Sequence, residues 1–185
     1  ARGGRDTRGF YNETDRWGAV KKSMQAGDYV IVQFAHNDEK NGGMDGMALK
    51  AYYESIGNTE EANKVDTRGS VPTTTYKEYL RKYVEETRAL GGNPILVAPA
   101  CRSYFDGSKI KRNGRHDLGD SYSVLTENGP VSGQSVPESD HSMDYPYQMK
   151  LVAEEMNVPF IDLTTATKEL YESYGDAKCH EFLFD

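Results

Sequence analysis

The sequence has few cysteines, no long apolar run and no excess of basic charge. Its 185 residues include only two cysteines, and apolar residues make up 37 %, with a mean hydropathy of −0.75. Because no apolar run approaches the length of a membrane span, we expect no membrane partner. The net charge of −7 lacks the basic excess that a nucleic-acid partner would require. The composition instead fits one acidic domain of ordinary size.

Cysteine and histidine are too sparse to indicate a metal centre. Cys101 and Cys179 could pair in an oxidising compartment or stay as buried thiols, and free buried thiols are favoured. His141, beside two aspartates, fits a solvated helix start better than a cation site. The neighbours Cys179 and His180 would point to opposite faces of a strand, which makes a poor ligand pair. We expect neither a metal nor a cofactor.

Three short apolar runs alternate with helical patterns. The runs predict strands over 28–34, 94–98 and 158–162. Helices are predicted over 13–24, 75–90, from about 140 or 144 to 156, and over 165–174. This alternation predicts an α/β fold with a parallel sheet and helices on both faces.

Two long polar segments, 39–74 and 101–137, each follow the carboxyl end of a strand. Within the first, 47–55 predicts a short helix, and the second has no clear periodicity. Loops of this length in a compact domain are usually functional or disordered. We expect both to line one rim of the sheet.

The first strand ends in a polar corner, Ala35-His36-Asn37-Asp38. Ligand sites in open α/β sheets lie just beyond the carboxyl ends of strands. A side-chain amide there, at Asn37, can donate a hydrogen bond to a developing oxyanion. The plainer interpretation is that Asn37 is only a turn residue, where asparagine is common.

This corner resembles the third sequence block of the SGNH (GDSL-like) hydrolases, in their rhamnogalacturonan acetylesterase branch, where a strand ends Gly-His-Asn-Asp. Ala35 stands where that block has glycine. Residues 1–10 (ARGGRDTRGF) are similar to the second block of that family, with Asp6 in place of serine. Carried over, the oxyanion donors would be the Gly4 amide and the Asn37 side chain. In the family the base histidine comes from the last block, so His36 is expected to support the corner instead.

The resemblance implies a three-layer α/β/α sandwich, flavodoxin-like, in which residues 1–185 are a single domain incomplete at both ends. The nucleophile block would lie upstream, since no serine here follows a strand in a Gly-Asp-Ser context. The closing Asp-x-x-His block would begin near Asp185, which makes Asp185 a candidate triad carboxylate. The nucleophilic serine and the base histidine are therefore expected outside these residues.

The implied activity is removal of acetyl groups from pectic, rhamnogalacturonan-type polysaccharide, without metal, in a secreted or periplasmic protein. Arg5, within a local cluster of arginines, could bind a galacturonate carboxylate. It could equally form an internal salt bridge, with Asp6 or Asp15 as partner. Tyrosines in the rim segments could stack on sugar rings: Tyr52, Tyr53, Tyr104 and Tyr122.

Two alternatives remain open. The chain could be a non-catalytic carbohydrate-binding or scaffold protein that keeps this fold without a nucleophile. A doubly wound nucleotide-binding domain is less favoured, because no glycine-rich phosphate loop opens a helix after a strand.

Overall fold

The fold is built around a short parallel sheet. A computed structural model describes residues 4–13 and 16–182 of the chain. Within them, the strands are β1 (Tyr29–Val32), β2 (Asn93–Val97), β3 (Phe105–Asp106), β4 (Lys109–Ile110), β5 (Tyr122–Thr126), β6 (Gly129–Gln134) and β7 (Phe160–Ile161). The helices are α1 (Thr7–Asn12), α2 (Trp17–Ser23), α3 (Gly46–Ser55), α4 (Thr59–Lys64), α5 (Lys77–Ala89), α6 (Tyr145–Met156), α7 (Leu163–Tyr174) and α8 (Asp176–Phe182).

The three predicted strands are parallel neighbours in one sheet, in the order β1-β2-β7. Tyr29 lies opposite Asn93, and Leu96 lies opposite Phe160. Parallel strands with helices flanking them confirm the predicted α/β class.

One face of this sheet carries the hydrophobic core. Val32 and Leu96 pack there against α5 and α6 in a cluster that includes Trp17, Tyr76, Leu80, Tyr83, Val84, Met149 and Val152. The apolar stripe of α5 is therefore core, as its spacing predicts. The opposite face is bare over β1, where Tyr29 is 75 % and Ile31 is 68 % exposed.

Most predicted helices are present, but the first is shorter than its pattern. Residues 13–24 were predicted to be one helix, but in the described part of that range the helix is α2 alone, and α1 precedes the range without having been predicted. Asp6 caps α1 by accepting a hydrogen bond from the Gly9 amide. α2 ends at Ser23, with Met24 as its C-cap. Gly27 lies in the following turn and donates its amide to the carbonyl of Gly91. The remaining predictions hold to within a few residues, including the helix within 47–55.

The second long segment is more regular than its composition indicates. It contains two antiparallel hairpins, β3-β4 and β5-β6. Both loops have two residues, Gly107-Ser108 and Glu127-Asn128, and Gly129, which follows the second, has φ +111°. Gly-Ser is an established signal for a two-residue hairpin loop, and an Asn-Gly pair, Asn128-Gly129, joins the second loop to β6.

Both cysteines are buried and unpaired, as favoured from the sequence. Burial raises the pKa of the Cys101 thiol to about 11. Cys179 and His180 lie on α8, so the strand assumed for them was wrong. Across the described ranges, no helix is both long enough and apolar enough to span a bilayer.

Candidate active site at the carboxyl end of the first strand

The polar corner lies where β1 ends, as the sequence predicts. The Asp38 amide donates to the Ala35 carbonyl at 2.8 Å, which closes a tight turn. Ala35 has φ +148° and is 1 % exposed. That conformation favours glycine, the residue found at this point in the sequence block that the corner resembles. The turn forms here although its first residue carries a Cβ.

A buried carboxylate joins the corner to the Gly4 loop. Asp38 Oδ1 accepts hydrogen bonds from the Thr7 amide (3.1 Å), the Thr7 hydroxyl (2.6 Å) and the Ser70 hydroxyl (2.7 Å). Asp38 Oδ2 is buried and accepts no hydrogen bond in the structure. Burial raises the pKa of the Asp38 carboxyl to about 7, and the nearby Asp6 carboxylate adds to the rise. Asp38 thus holds the start of α1 against the end of β1.

Gly4 adopts the conformation that makes glycine useful in this loop. Its φ is +79°, in the left-handed region that other residues rarely adopt. Its carbonyl accepts hydrogen bonds from Arg5 Nη1 (3.2 Å) and Arg68 Nη1 (3.3 Å). The loop is therefore fixed by arginine side chains from two parts of the chain.

The Asn37 side chain lies beside this loop. Its Nδ2 donates to the Arg5 carbonyl over a long 3.4 Å, and its Oδ1 accepts from Arg68 Nη1 at 3.0 Å. One guanidinium thus contacts both predicted oxyanion residues. Arg68 was not identified from the sequence. It lies 31 residues after Asn37 inside the first long segment, and no pattern there marks it.

Asn37 and Gly4 line the same cavity, which has a volume of about 390 Å³. The cavity lies along β1 and is bounded by polar groups at the corner and by apolar side chains further along: Phe10, Trp17, Val20, Phe34 and Tyr83. An apolar wall with a few convergent polar groups is typical of a small-molecule site. That the Gly4 amide and the Asn37 amide point to one oxygen position stays a prediction.

Arg5 lies in the cavity wall but is engaged within the protein. Its guanidinium forms an ion pair with Glu13, not with the predicted partner Asp6, and Asp15 lies outside the described residues. Arg8 pairs with Asp45 at 2.7 Å. The internal salt bridges are therefore present, and a substrate-binding role for Arg5 remains a proposal.

His36 supports the corner through its backbone, since its carbonyl accepts a hydrogen bond from Arg102 at 3.0 Å. Its ring lies 4.4 Å from that of the fully buried His116. Burial and the neighbouring His116 and Arg102 lower the pKa of His36 to about 4. An imidazole of such low pKa is a weak general base near neutral pH.

His116, from the second long segment, fastens that segment to the same corner. Its Nδ1 contacts the Glu39 carboxylate, and its Nε2 contacts the Ala100 carbonyl at 2.7 Å. Both long segments therefore reach the carboxyl edge of the sheet, as expected from their positions.

A Gly-Asp-Ser sequence does occur at Gly119-Asp120-Ser121, but it does not follow a strand. It lies in a turn after the 3₁₀ helix Asn113–Arg115, where Asp120 pairs with Arg112 at 3.1 Å. The Ser121 amide donates to the Leu118 carbonyl. This turn lacks the strand that would present a nucleophile at the sheet edge.

The remaining sequence candidates are distributed as follows. Asp185 lies outside the described residues. His141 Nδ1 contacts Asp144 Oδ2 at 3.2 Å at the start of α6. The described residues contain no cluster of three potential metal-ligating side chains. Of the rim tyrosines, Tyr104 is 42 % exposed, and stacking on sugar remains a proposal for all four.

Comparison with known proteins points in one direction. No family model matches the chain. It is 30 % identical over 177 residues to the rhamnogalacturonan acetylesterase RhgT of Bacillus subtilis (strain 168), covering 95 % of this chain and 52 % of that protein. It is 26 % identical over 180 residues to the probable rhamnogalacturonan acetylesterase YesY of the same strain, covering 97 % of this chain and 59 % of that protein.

The fold has a solved counterpart. The crystal structure of protein YXIM from Bacillus subtilis matches 99 % of this chain and 37 % of that chain, with a TM-score of 0.59 and 19 % identity. The chain spans just over half the length of the curated relatives it matches. Over nearly all of its own length it is similar to rhamnogalacturonan acetylesterases, which confirms the family resemblance drawn from the sequence.

Proposed function

We propose that these residues form the central part of a serine carbohydrate esterase that removes acetyl groups from rhamnogalacturonan-type pectic polysaccharide. One observation carries the proposal. The Asn37 amide and the Gly4 loop are bound to one guanidinium beside a cavity at the carboxyl end of β1. The two named acetylesterases that the chain resembles supply the substrate class.

The chemistry is acyl transfer. A serine oxygen attacks the acetyl carbonyl while a histidine takes the serine proton, and the carbonyl π electrons move onto oxygen. The Gly4 N–H and the Asn37 Nδ2–H donate hydrogen bonds to that oxyanion. When the tetrahedral intermediate collapses, the histidine returns the proton to the departing sugar oxygen. Water then repeats the sequence on the acetyl-serine, releasing acetate.

The serine and the histidine are proposed to come from protein outside residues 1–185, with Asp185 orienting the histidine. The sheet supports this assignment. Within the described residues β1 pairs only with β2, so its other edge is open, and Ile31 is exposed on the bare face. Such an edge and face are normally covered in a native protein. A further parallel strand beside β1 would carry a nucleophile to the cavity that Asn37 lines.

The test is acetate release from acetylated rhamnogalacturonan by the natural protein that contains this chain. Asn37→Ala is expected to lower kcat by about 10²–10³ with little change in KM, because a hydrogen bond to an oxyanion matures in the transition state. Asn93→Ala is the matched control. That amide donates to the Gly27 carbonyl at the amino end of the sheet, so its loss should leave kcat unchanged.

Two outcomes would contradict the proposal. Absence of acetate release by the intact protein would favour a carbohydrate-binding or scaffold protein. A loss confined to KM in Asn37→Ala would refute the oxyanion role.

A further inference from the structure

We propose that Arg68 is a positioning residue for the oxyanion site, which sets the orientation of the Asn37 amide and anchors the Gly4 loop from one guanidinium. The predicted effect of Arg68 on kcat rests on the proposed esterase function. The structural basis of the inference is independent of that function. Arg68 Nη1 lies 3.0 Å from Asn37 Oδ1 and 3.3 Å from the Gly4 carbonyl oxygen.

The donor chemistry of the two side chains determines how the amide is oriented. An asparagine amide has an acceptor oxygen on one side and a donor nitrogen on the other, whereas a guanidinium only donates. Arg68 can therefore bind Asn37 only through Oδ1. The rotated amide would place Nδ2 against Arg68, where two donors would face each other. Arg68 thus keeps Nδ2, the group that donates to an oxyanion, on the side away from itself.

The same guanidinium restrains the second predicted donor. The Gly4 carbonyl is fixed by Arg68 and Arg5, and a glycine with φ +79° has little intrinsic conformational preference to hold it there. A hydrogen bond to a charged donor is roughly twice as strong as one between neutral groups. One rigid, planar guanidinium therefore fixes the positions of both oxyanion residues.

Arg68 is itself held in place. Its Nε and Nη2 bind the two oxygens of Asp66 at 2.9 and 2.6 Å, and these bonds hold the pKa of Asp66 below its usual value. The backbone that carries the pair is fixed by Asn41, whose Nδ2 donates to the carbonyls of Asp66 (2.8 Å) and Arg68 (2.9 Å). This bidentate pair leaves Nη1 directed at Asn37 and Gly4.

The structure offers a closely matched control arginine. Arg81 on α5 makes the same bidentate contact, with Nε and Nη2 on Glu155 at 2.9 and 2.7 Å. Its side chain is 33 % exposed, against 35 % for Arg68. Arg81→Ala removes an equivalent salt bridge away from the corner. Any general cost of losing such a pair therefore appears in both variants.

The experiment measures the natural full-length protein with an uncharged acetyl ester, so that recognition of a sugar carboxylate does not contribute. We expect Arg68→Ala to lower kcat by about 10- to 100-fold with KM nearly unchanged, because misplacing a catalytic group by about 1 Å costs about that much. Arg81→Ala should leave both constants unchanged. Methylguanidinium, added well below denaturing concentrations, should restore part of the activity to Arg68→Ala.

A double-mutant cycle with Asn37→Ala decides between positioning and an independent role. If Arg68 acts through Asn37, adding Arg68→Ala to Asn37→Ala should cost less than Arg68→Ala alone, and the loss that remains is the part that acts through the Gly4 loop. Equal losses in both backgrounds would overturn the proposal. Full kcat in Arg68→Ala would overturn it too, whereas full kcat in Asn37→Ala would instead overturn the proposed oxyanion role.

A second readout does not depend on activity. In a ¹⁵N-labelled protein, the side-chain NH₂ signals of Asn37, assigned by their absence in Asn37→Ala, should shift or broaden in Arg68→Ala. They should stay unchanged in Arg81→Ala. If Arg68→Ala leaves these signals where they are, the guanidinium does not hold the amide and the proposal fails, even in a protein with no esterase activity.

Discussion

At the scale of single residues, Asp38 joins distant parts of the chain, a role that its sequence motif does not indicate. Its carboxylate binds Thr7 and Ser70, and its carbonyl accepts hydrogen bonds from the Ser70 amide and the Tyr145 hydroxyl. Three distant segments therefore meet at the residue that follows Asn37. The position of the candidate oxyanion group depends on this buried junction as well as on the strand.

The junction should make stability depend on pH in a definite direction. Because burial raises the pKa of Asp38 to about 7, the native state binds a proton there that the unfolded state has lost above about pH 4. Stability contributed by this site is therefore present at low pH and decreases as pH rises to about 7. Asp38→Asn should remove that decrease, which urea unfolding at several pH values measures.

Asp106→Asn, at an exposed position in the β3-β4 hairpin, is the control for a general change of charge. It should retain the pH dependence of the parent protein. If the stability of Asp38→Asn has the same pH dependence as that of the parent, a group other than Asp38 causes that dependence.

At the scale of elements, the turn after β1 stores backbone strain at Ala35. A non-glycine residue in such a conformation costs about 1–3 kcal/mol. Ala98, the residue that follows the neighbouring strand β2, is equally buried, but its φ is not positive. Ala35→Gly should therefore cost less stability than Ala98→Gly by at least about 1 kcal/mol. Equal costs in urea unfolding would show that the Ala35 turn is unstrained.

Elements with a sustained apolar pattern could be predicted from the sequence, whereas α1 and the short hairpins could not. α5 and α6 combine an apolar stripe with a clear end, and the three parallel strands are continuous apolar runs. α1 was missed because its six residues bury little, although Asp6 three residues before Gly9 is a capping signal. The hairpins were missed because their loop dipeptides went unrecognised in a polar context.

The candidate site divides in the same way. That Asn37 and Gly4 lie beside one cavity was predictable, because each belongs to a motif next to the end of an element. Arg68 and His116 reach the corner from 31 and 79 residues beyond Asn37, through loops without periodicity. Their roles depend on tertiary contacts that no local pattern encodes.

At the scale of the whole molecule, the sheet has one packed face, and its opposite face is bare over β1. Tyr29 and Ile31 project from the bare face beside the open edge of β1. We propose that protein outside residues 1–185 covers both the edge and this face. Residues 1–185 alone should then release no acetate, since the nucleophile would be missing.

Cysteine labelling tests the covering directly. Ile31→Cys should react rapidly with a water-soluble maleimide in residues 1–185 and slowly in the intact natural protein. Background should be small, because Cys101 is 6 % and Cys179 is 2 % exposed. Equal labelling rates in the two proteins would refute a covered face, and acetate release by residues 1–185 would refute an external nucleophile.

The first long segment also has a closed base. The Gly46 amide donates to the Gly69 carbonyl, and Asn41 binds the carbonyls of Asp66 and Arg68. Helices α3 and α4 therefore leave and re-enter the domain through a hydrogen-bonded neck, and Arg68 is part of that neck. A change in α3 or α4 is therefore expected to leave the group that orients Asn37 in place.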